Sequence, residues 1–390
     1  MTDRALPFGP AFGFGVYIHW PYCARICPYC DFNVYAAKTR DTEPLLEALL
    51  SDLNRQARVL ATHPPLTSIF LGGGTPSLMS PHQMEQLIKA CETAFGLAQD
   101  CEITLESNPN NVTAEAARDW KSAGINRLSI GLQSLDDQAL SFLGRDHNSA
   151  DARMAADLAH RFFPSFSLDM IYARPGQSLA DWERELAAAL VLEAPHLSLY
   201  ELTIAPGTAF SKQVERGSLT PLPDELQAQM YELTDALTTR AGLKAYEVSN
   251  HARNPSDHSR HNMIYWRSGD WLGLGPGAHG RLTINGERIA TEAVAKPEAY
   301  IKAVNEAGTG LATREHLSTQ DTAHELLTMG LRPSEGIACS RLETLLENPL
   351  SETVSEHLRR GGWLIPARDT LALTPAGRLL ADRIALELLS

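Results

Sequence analysis

Three cysteines near the N-terminus, Cys23, Cys27 and Cys30, form a C-x3-C-x2-C triplet, and no further cysteine follows within sixty residues. Three thiolates can fill three corners of a [4Fe–4S] cluster, which normally takes four cysteines, and would leave its fourth iron open for a small ligand. The alternative is a structural zinc site, which needs four ligands and would take His19 or His63 as the fourth. Neither histidine has the spacing of a zinc finger or ribbon, so the spacing favours the iron–sulfur cluster.

Further groups suited to ligand binding stand where predicted strands end. They are Gly73, Gly74 and Thr75 after the second strand, Glu106 at the end of the third, Gln133 at the end of the fourth and Asp169 late in the fifth. Because ligands collect at the carboxyl ends of parallel strands, we expect these groups and the cysteine loop on one rim. Taken singly, a glycine run can be a tight turn, and a strand-end carboxylate can be a helix cap or a solvated group.

A second candidate site is the run His261-Asn-Met-Ile-Tyr-Trp266, which joins a soft metal ligand and an amide to two large aromatic side chains. Histidine commonly holds haem iron inside an apolar pocket. A zinc site that includes His258 is the alternative, since His251 and His279 are also near in sequence. No cysteine is close, and two aromatic rings suit a flat apolar ligand better than a bare ion. Most loop histidines are not ligands, so the residues alone leave both readings open.

The elements that must position these groups alternate over the first two thirds of the chain. Helical patterns cover 44–60, 80–95, 149–162 and 179–192, and Thr113 and Gly124 bracket one more helix. Ser80 and Gln83 predict a capping box. The strands between them are predicted at Gly15–His19, Leu66–Leu71, Glu102–Glu106, Arg127–Leu132, Ser165–Ile171 and His196–Leu202. This βα alternation predicts an α/β fold, a partial TIM-like (β/α)6 barrel.

Beyond a predicted helix at 223–241 the pattern changes. A strand is predicted at Ala245–Ser249, and Asn285-Gly286 is typical of a type I′ turn in a hairpin. From about residue 312 we predict three helices, a short hairpin over Trp363–Thr374 and a last helix, which together make a small winged-helix-like domain. The chain is therefore divided into a core barrel (1–245), a histidine- and glycine-rich segment with a hairpin (246–311) and a C-terminal winged-helix-like domain (312–390).

The composition excludes several classes of protein. Hydrophobic residues make up 44% and charged residues 21%, which is ordinary for a soluble globular protein. The apolar runs are far shorter than a membrane span, and no signal peptide is recognisable. A net charge of −13 argues against a sequence-independent grip on nucleic acid. Six cysteines do not suggest a disulfide framework, and an iron–sulfur cluster needs a reducing compartment, so we expect a cytoplasmic protein.

Longer motifs resemble the radical S-adenosylmethionine (SAM) superfamily, and within it the branch of HemN and HemW proteins, over nearly the full chain. The motifs are Tyr17-Ile-His-Trp-Pro-Tyr-Cys-x3-Cys-Pro-Tyr-Cys-Asp-Phe32, the Gly-Gly-Gly-Thr-Pro run, Glu106-Ser-Asn-Pro109, Gly131-Leu-Gln-Ser134 and Tyr246-Glu-Val-Ser-Asn250. The resemblance implies a [4Fe–4S] cluster on Cys23, Cys27 and Cys30 whose open iron binds SAM. It implies that the rest of SAM is held by Tyr17, Gly73, Gly74, Thr75, Glu106, Gln133, Arg145 and Asp169.

Two functions compete within this branch, oxygen-independent coproporphyrinogen III oxidase and haem chaperone. The oxidases have a further cysteine where this chain has Phe32, and a long N-terminal extension where only sixteen residues precede Tyr17. The segment from His261 to Trp266 is similar to the haem-binding motif of the chaperones. These differences favour a haem chaperone without oxidase activity, with His261 as a haem ligand. Whether SAM is cleaved, and hence whether the protein is an enzyme, stays open.

One motif departs from the family pattern. The family usually reads Asp-x-Ile-Tyr-Gly-Leu-Pro-Gly, whereas this chain places Ala173 and Arg174 after Tyr172, so the backbone beyond Asp169 is expected to differ. The resemblance further implies transfer of haem to apo-haemoproteins such as respiratory enzymes, near the inner membrane. Residues 312–390, where the resemblance is weakest, are the region where we expect partner contact. A homodimer, and covalent or non-covalent haem attachment, stay open.

Overall fold

The computed structural model describes residues 6–36, 41–60, 63–346 and 350–389 of the chain. Its strands are β1 Phe14–Trp20, β2 Tyr22–Cys23, β3 Tyr35–Ala36, β4 Leu66–Gly73, β5 Leu97–Ser107, β6 Arg127–Gln133, β7 Ser165–Tyr172, β8 His196–Glu201, β9 Lys244–Ala245, β10 Asn250–Ala252, β11 Asp270–Leu274, β12 His279–Ile284, β13 Glu287–Ala293, β14 Leu311–His316, β15 Ile337–Ala338 and β16 Thr370–Leu371. Its helices are α1 Glu43–Val59, α2 Pro81–Phe95, α3 Ala114–Ser122, α4 Asp137–Phe142, α5 Ser149–Phe162, α6 Leu179–Leu190, α7 Ala209–Glu215, α8 Asp224–Arg240, α9 Arg260–Trp266, α10 Pro297–Ala307, α11 Thr319–Gly330, α12 Cys339–Glu343, α13 Glu352–Arg360, α14 Pro375–Arg378 and α15 Ala381–Leu389.

A twelve-stranded sheet forms the body of the molecule. Its central strands run parallel in the order β11-β1-β4-β5-β6-β7-β8, while β12, β13 and β14 extend one side and β10 and β9 the other in antiparallel pairing. All six predicted parallel strands are present, so the α/β expectation is confirmed. Strand β11, the seventh parallel strand, was not predicted, because it is only five residues long and Gly273 weakens its propensity signal.

The predicted helices between the parallel strands begin and end within two residues of the observed bounds. The capping box at α2 is present: Gln83 N donates to Ser80 Oγ (3.2 Å) and Ser80 N donates to Gln83 Oε1 (3.1 Å). Thr113 caps α3, and Gly124 follows its end with a φ of 106°. Helices α1, α2, α3, α5, α6 and α8 pack apolar faces on the sheet and form one continuous core with it.

The predicted strand at Ala245–Ser249 is wrong. The chain leaves β9 at Ala245, bends, and returns as β10, which pairs with β8. The bend forms because the buried Glu247 carboxylate accepts hydrogen bonds from Ser249 N and from Asn250 Nδ2, both at 2.6 Å. A side chain that hydrogen-bonds to nearby backbone in this way favours a bend, whereas the apolar pattern predicts an extended strand here.

The C-terminal region has a second, smaller core. Leu326, Leu358, Leu364, Leu373 and Leu388 are among the residues that fill it. The predicted hairpin is reduced to one antiparallel bridge between Leu364 and Leu373, while β16 pairs with β15 to complete a winged-helix-like arrangement of helices and short strands.

The first predicted helix after residue 312 begins later than expected. Strand β14 covers Leu311–His316 and belongs to the large sheet, because its backbone pairs with β13. The first helix of the C-terminal region, α11, starts at Thr319 behind a cap by Ser318. Among the described residues, no helix is long and apolar enough to cross a membrane.

Candidate functional site

A cavity of about 370 Å³ opens at the carboxyl ends of the parallel strands. As the strand-end rule predicts, it gathers groups that are far apart in sequence. The residues singled out from the sequence that line it are Cys23, Cys27, Cys30, Gly73, Gly74, Thr75, Glu106, Gln133, Arg145 and Asp169. Tyr17 and His261 are not among the lining residues.

The cysteine loop leaves β1 and lies across one end of this cavity. Burial raises the pKa of the Cys23 thiol, and it raises the pKa of Cys30 to about 11, so both are protonated thiols until a metal displaces the proton. Arg145 Nη1 lies 3.4 Å from Cys27 Sγ, which sets a positive charge beside the loop. A [4Fe–4S] cluster binds each cysteine on a different iron, and this donor set, three cysteines with an arginine, fits such an anionic cluster.

The zinc alternatives receive no support from the geometry. The Tyr17 hydroxyl donates to Nδ1 of His19 (3.0 Å), and Nε2 of the same ring contacts the Asn33 carbonyl (2.9 Å), so neither nitrogen is free. His63 packs against Phe95, beside the amino end of β1 and remote from the cysteines. Among the described residues, no group of three or more histidine, cysteine or carboxylate side chains is gathered closely enough to hold one metal ion.

The glycine run is fixed by close packing against the cysteine loop. Gly74 N donates to the Trp20 carbonyl (2.7 Å), and Thr75 N donates to the Tyr22 carbonyl (2.9 Å). A Cβ atom on Gly74 would stand 2.7 Å from the Tyr22 carbonyl oxygen, and Gly73 has a φ of 106°. The glycines therefore bring two rim loops together, in addition to any approach they allow to a ligand.

Two carboxylates face the cavity from neighbouring parts of the sheet. Glu106 Oε2 accepts a hydrogen bond from Gly73 N (2.9 Å), and burial raises the pKa of Glu106 to about 8. Asp169 accepts hydrogen bonds from Ser129 Oγ (2.7 Å) and Ser167 Oγ (2.8 Å). Asp169 is thus fixed in direction, and Glu106 is a buried carboxyl that a cationic ligand group would stabilise in its charged form.

The unusual Ala173-Arg174 pair is accommodated behind the rim. Ala173 has a φ of 56°, in the left-handed region that favours glycine. The Arg174 guanidinium is buried, donates to the Ile171 carbonyl (2.6 Å) and pairs with Glu185 at 2.5 Å. Glu185 in turn accepts from Leu135 N (3.0 Å), so the buried pair joins the loops after β6 and β7. Asp169 keeps its place on the cavity wall.

His261 lies behind the cavity wall and is 1% exposed. Its Nδ1 contacts Ser68 Oγ at 2.7 Å and its Nε2 contacts the Tyr265 hydroxyl at 2.6 Å, so both ring nitrogens are engaged. Burial, with a smaller contribution from the Arg127 charge, lowers the pKa of His261 to about 3, and the ring is neutral. The ring of Phe70 stands 5.1 Å from it and itself lines the cavity.

The other residues of the His261–Trp266 segment point in different directions. The segment forms helix α9, capped by Ser259, and Asn262 lines the cavity. Tyr265 packs edge-on against Trp271 of β11. Trp266 lies under the Arg332 guanidinium of the C-terminal region, 4.6 Å from the ring centre. One short helix therefore contacts the barrel interior, the cavity and the C-terminal region.

A further set of polar residues that line the cavity was not predicted from the sequence. Its members are Asn108, Arg127, Ser129, His196, Ser198, Asn250, Ser259 and Asn262. A signal was available on two strands, because residues 127, 129, 131 and 133 of β6 and residues 196, 198 and 200 of β8 alternate at the period of one strand face. The ends of the strands alone do not reveal this alternation.

Comparison with known proteins places the chain in a family. Residues 17–189 match the family model described as "Radical SAM superfamily", and residues 317–380 match "HemN C-terminal domain". The "Heme chaperone HemW" of Escherichia coli K12 is 36% identical over 378 residues, which cover 95% of this chain and 96% of that protein. The chain belongs to the HemW branch of the radical SAM superfamily.

Other relatives of this HemW-branch chain support the same placement. The Bacillus subtilis "Heme chaperone HemW" is 33% identical, covering 94% of this chain and 97% of that protein. The bovine "Radical S-adenosyl methionine domain-containing protein 1, mitochondrial" is 41% identical, covering 86% and 77%. The solved structure of coproporphyrinogen III oxidase (HemN) from Escherichia coli has a TM-score of 0.81 at 21% identity, covering 98% of this chain and 90% of that one, which shows a shared fold.

Membership of the radical SAM superfamily implies SAM and a [4Fe–4S] cluster as cofactors. The matched segment, 17–189, contains the cysteine loop and every predicted SAM-contacting residue. The predicted radical SAM fold and the predicted branch are therefore confirmed.

Proposed function

We propose that this protein is a haem chaperone, which binds haem and delivers it to apo-haemoproteins, and which carries a SAM-coordinating [4Fe–4S] cluster. The observation that carries this proposal is the full-length similarity to proteins named haem chaperones, at 33–36% identity, against 21% for the oxidase of the same fold. Phe32 is consistent with it, because this side chain is 61% exposed at the cavity, at the position where the resemblance expects a cysteine in an oxidase.

In this proposal Cys23, Cys27 and Cys30 hold the cluster, and SAM occupies the adjoining part of the cavity. The bound cluster would supply the electron that can split the sulfonium bond of SAM. Gly73, Gly74 and Thr75 would approach the methionine part of SAM. Glu106 would accept from its amine, Arg145 would face its carboxylate, and Gln133 and Asp169 would contact the remainder, with Tyr17 behind the wall.

His261 remains the proposed haem ligand, and the geometry adds a condition. A neutral imidazole is the form that binds iron, and the low pKa of His261 keeps it neutral. Its Nε2 must first release the Tyr265 hydroxyl, and Phe70 must cease to separate the ring from the cavity. Haem binding through His261 therefore requires α9 to shift, and α9 also touches the C-terminal region, which we propose as the contact region for the receiving protein.

The alternative function is oxygen-independent coproporphyrinogen III oxidase. One experiment separates the two: anaerobic protein with a reconstituted cluster is incubated in parallel with haemin and with coproporphyrinogen III plus SAM. We expect a haem complex with a histidine-ligated spectrum and no protoporphyrinogen. Protoporphyrinogen that forms while SAM is consumed in step would restore the oxidase function. A reducing compartment such as the cytoplasm suits the cluster. The oligomeric state and any peripheral membrane binding would be measured on the same preparation.

A further inference from the structure

Arg127 stands at the inner end of the cavity, at the start of β6, and is 2% exposed. Its nearest opposite charge is Glu102, whose Oε2 lies 3.7 Å from Nε, too far for a hydrogen bond. Nε is buried and has no hydrogen-bond partner among the described residues. A buried polar donor without a partner is costly, and such groups are normally paired or bind a ligand.

Two other buried arginines of the same chain show what a structural ion pair looks like. Arg174 contacts Glu185 at 2.5 Å, and Arg288 contacts Asp270 at 2.7 Å, each with further hydrogen bonds to a backbone carbonyl. These are the short contacts of charge-assisted hydrogen bonds. The carboxylate contact of Arg127, at 3.7 Å, is about 1 Å longer than either of these. Fold stability alone therefore accounts poorly for its position.

The partner carboxylate is occupied elsewhere. Glu102 Oε1 accepts hydrogen bonds from the backbone N–H groups of Arg260 (3.0 Å) and His261 (3.4 Å) at the start of α9. Glu102 therefore serves as an anchor for α9, and the Nε donor of Arg127 is left for another group. The positive charge of Arg127 acts on two nearby histidines. After burial, it is the next largest cause that lowers the pKa of His196 and of His261.

The cavity that Arg127 lines carries further polar groups, one of which is unpaired. Asn250 is buried, its Nδ2 donates to Glu247, and its Oδ1 has no hydrogen-bond partner among the described residues. Asn262 and Ser129 line the same space. One fixed cation among neutral amides and hydroxyls suits a ligand group with one negative charge and two acceptor oxygens.

We propose that the inner end of the cavity is a carboxylate subsite, in which Arg127 binds a carboxylate of an organic ligand, with Asn250 and Asn262 beside it. The subsite itself depends only on this geometry. The identity of its ligand rests on the proposed function, in which a haem propionate would be the carboxylate. Two arms of one experiment separate these statements.

The first arm uses propionate as a probe on the cluster-loaded protein and measures thermal unfolding against propionamide and against chloride at equal ionic strength. A ligand that binds the folded state raises the melting temperature. We expect propionate alone to raise it in the wild type and in Arg118→Gln, an exposed arginine of α3 that serves as control. We expect no rise in Arg127→Gln.

A second variant guards against a folding defect. Arg127→Gln leaves the Glu102 charge buried without a cation, which is itself destabilising. The double variant Arg127→Gln with Glu102→Gln removes both charges and keeps an acceptor for the N–H groups of α9. Absence of a propionate effect in this folded double variant supports the subsite. An effect that persists in it, or an absent effect in the wild type, overturns the subsite.

The second arm compares haemin with haemin dimethyl ester, which lacks free carboxylates. We expect the wild type to bind haemin roughly tenfold more tightly than the ester, and the double variant to bind both alike. A wild type that responds to propionate but binds no haemin would refute the haem function and leave the subsite for another carboxylate ligand. Equal affinity for haemin and ester, with no propionate effect, would refute the subsite and leave the haem function standing.

Discussion

The motifs of the cysteine loop and of helix α9 both predict ligand sites, yet the two regions differ in how accessible their ligand atoms are. The three thiols line an open cavity, and Arg145 is poised beside them. His261 is enclosed, and Ser68 and Tyr265 satisfy both of its ring nitrogens. The first region is assembled for a ligand, whereas the second must break existing contacts before it could bind iron. A motif gives residue types, and it leaves open whether a conformational change stands between those residues and their ligand.

The contacts of His261 add a free-energy cost to ligand binding at α9. An intramolecular hydrogen bond of this kind contributes about 1 kcal/mol, and a buried group left without its partner costs about 1–3 kcal/mol. Haem bound through His261 would have to offset those contacts as well as the packing of Tyr265 on Trp271. Haem binding through His261 would therefore require α9 to rearrange, whereas the cysteines already line the cavity.

The largest effect is expected at the open region. Replacement of Cys23, Cys27 or Cys30 by serine should abolish the cluster, because each thiolate binds a different iron. Iron analysis of anaerobically reconstituted protein, at about four irons per chain, and the broad absorption of the cluster measure this. Cys91, Cys101 and Cys339 are the controls, since none lines the cavity, and their serine variants should keep the cluster. Stoichiometric zinc in place of iron would contradict the assignment.

The next effect concerns the enclosed region. His261→Ala should remove the histidine-ligated haem spectrum, and it should lower the free energy of unfolding by about 2–4 kcal/mol, because Ser68 and Tyr265 lose a buried partner. His251→Ala, His258→Ala and His279→Ala should each keep the haem spectrum, and all four variants should keep the cluster. An unaltered haem spectrum in His261→Ala would transfer the role to a neighbouring histidine, with His258 first.

A smaller change tests the closed state directly. Tyr265→Phe removes the hydroxyl that holds Nε2 of His261 and keeps the aromatic ring. If His261 binds haem iron, this variant should bind haemin roughly fivefold more tightly, because about 1 kcal/mol of competing hydrogen bond is gone. Haemin titration measures it. Weaker binding with an unchanged spectrum would mean that the Tyr265 hydroxyl contacts the ligand itself.

Glu106 gives a pH-dependent test of the open region. Burial raises its pKa in the folded protein to about 8, above the ordinary value near 4.5, so the contribution of this group to stability is present below pH 4.5 and is lost as the pH rises towards 8. Glu106→Gln removes the titration. We expect the variant to exceed the wild type in unfolding free energy by on the order of 3 kcal/mol at pH 8, and by much less at pH 5. Denaturant titration at both values measures it, and a constant difference would contradict the raised pKa.

The smallest expected effect is at Ala173, behind the rim of the cavity. Ala173→Gly should stabilise the protein by about 0.5–1 kcal/mol, because glycine adopts the positive φ of this position without the strain of a side chain. Ala205→Gly, at a loop position without a positive φ, is the matched control and should be neutral or destabilising. A loss of stability in Ala173→Gly would show that the Cβ atom contributes packing that outweighs the strain.

The sequence alone determined what depends on neighbours along the chain. Helix caps such as Ser80, the turn at Asn285-Gly286, the parallel strands and the strand-end position of Glu106 and Asp169 follow from local chemistry and from the period of the apolar pattern. The cysteine triplet belongs with them, since three cysteines within eight residues must lie close together. These features survived comparison with the structure because few distant contacts compete with them.

Only the tertiary structure decided what depends on residues far apart in sequence. Ser68 meets His261 across 193 positions, and Glu102 anchors Arg260 across 158. With those contacts the histidine is buried, Asn262 lines the cavity and Nε of Arg127 has no partner among the described residues. A histidine or an arginine has the same sequence signature whether its polar atoms are satisfied or free. The reason is physical: the state of a buried polar group is set by which partners the fold brings within about 3 Å.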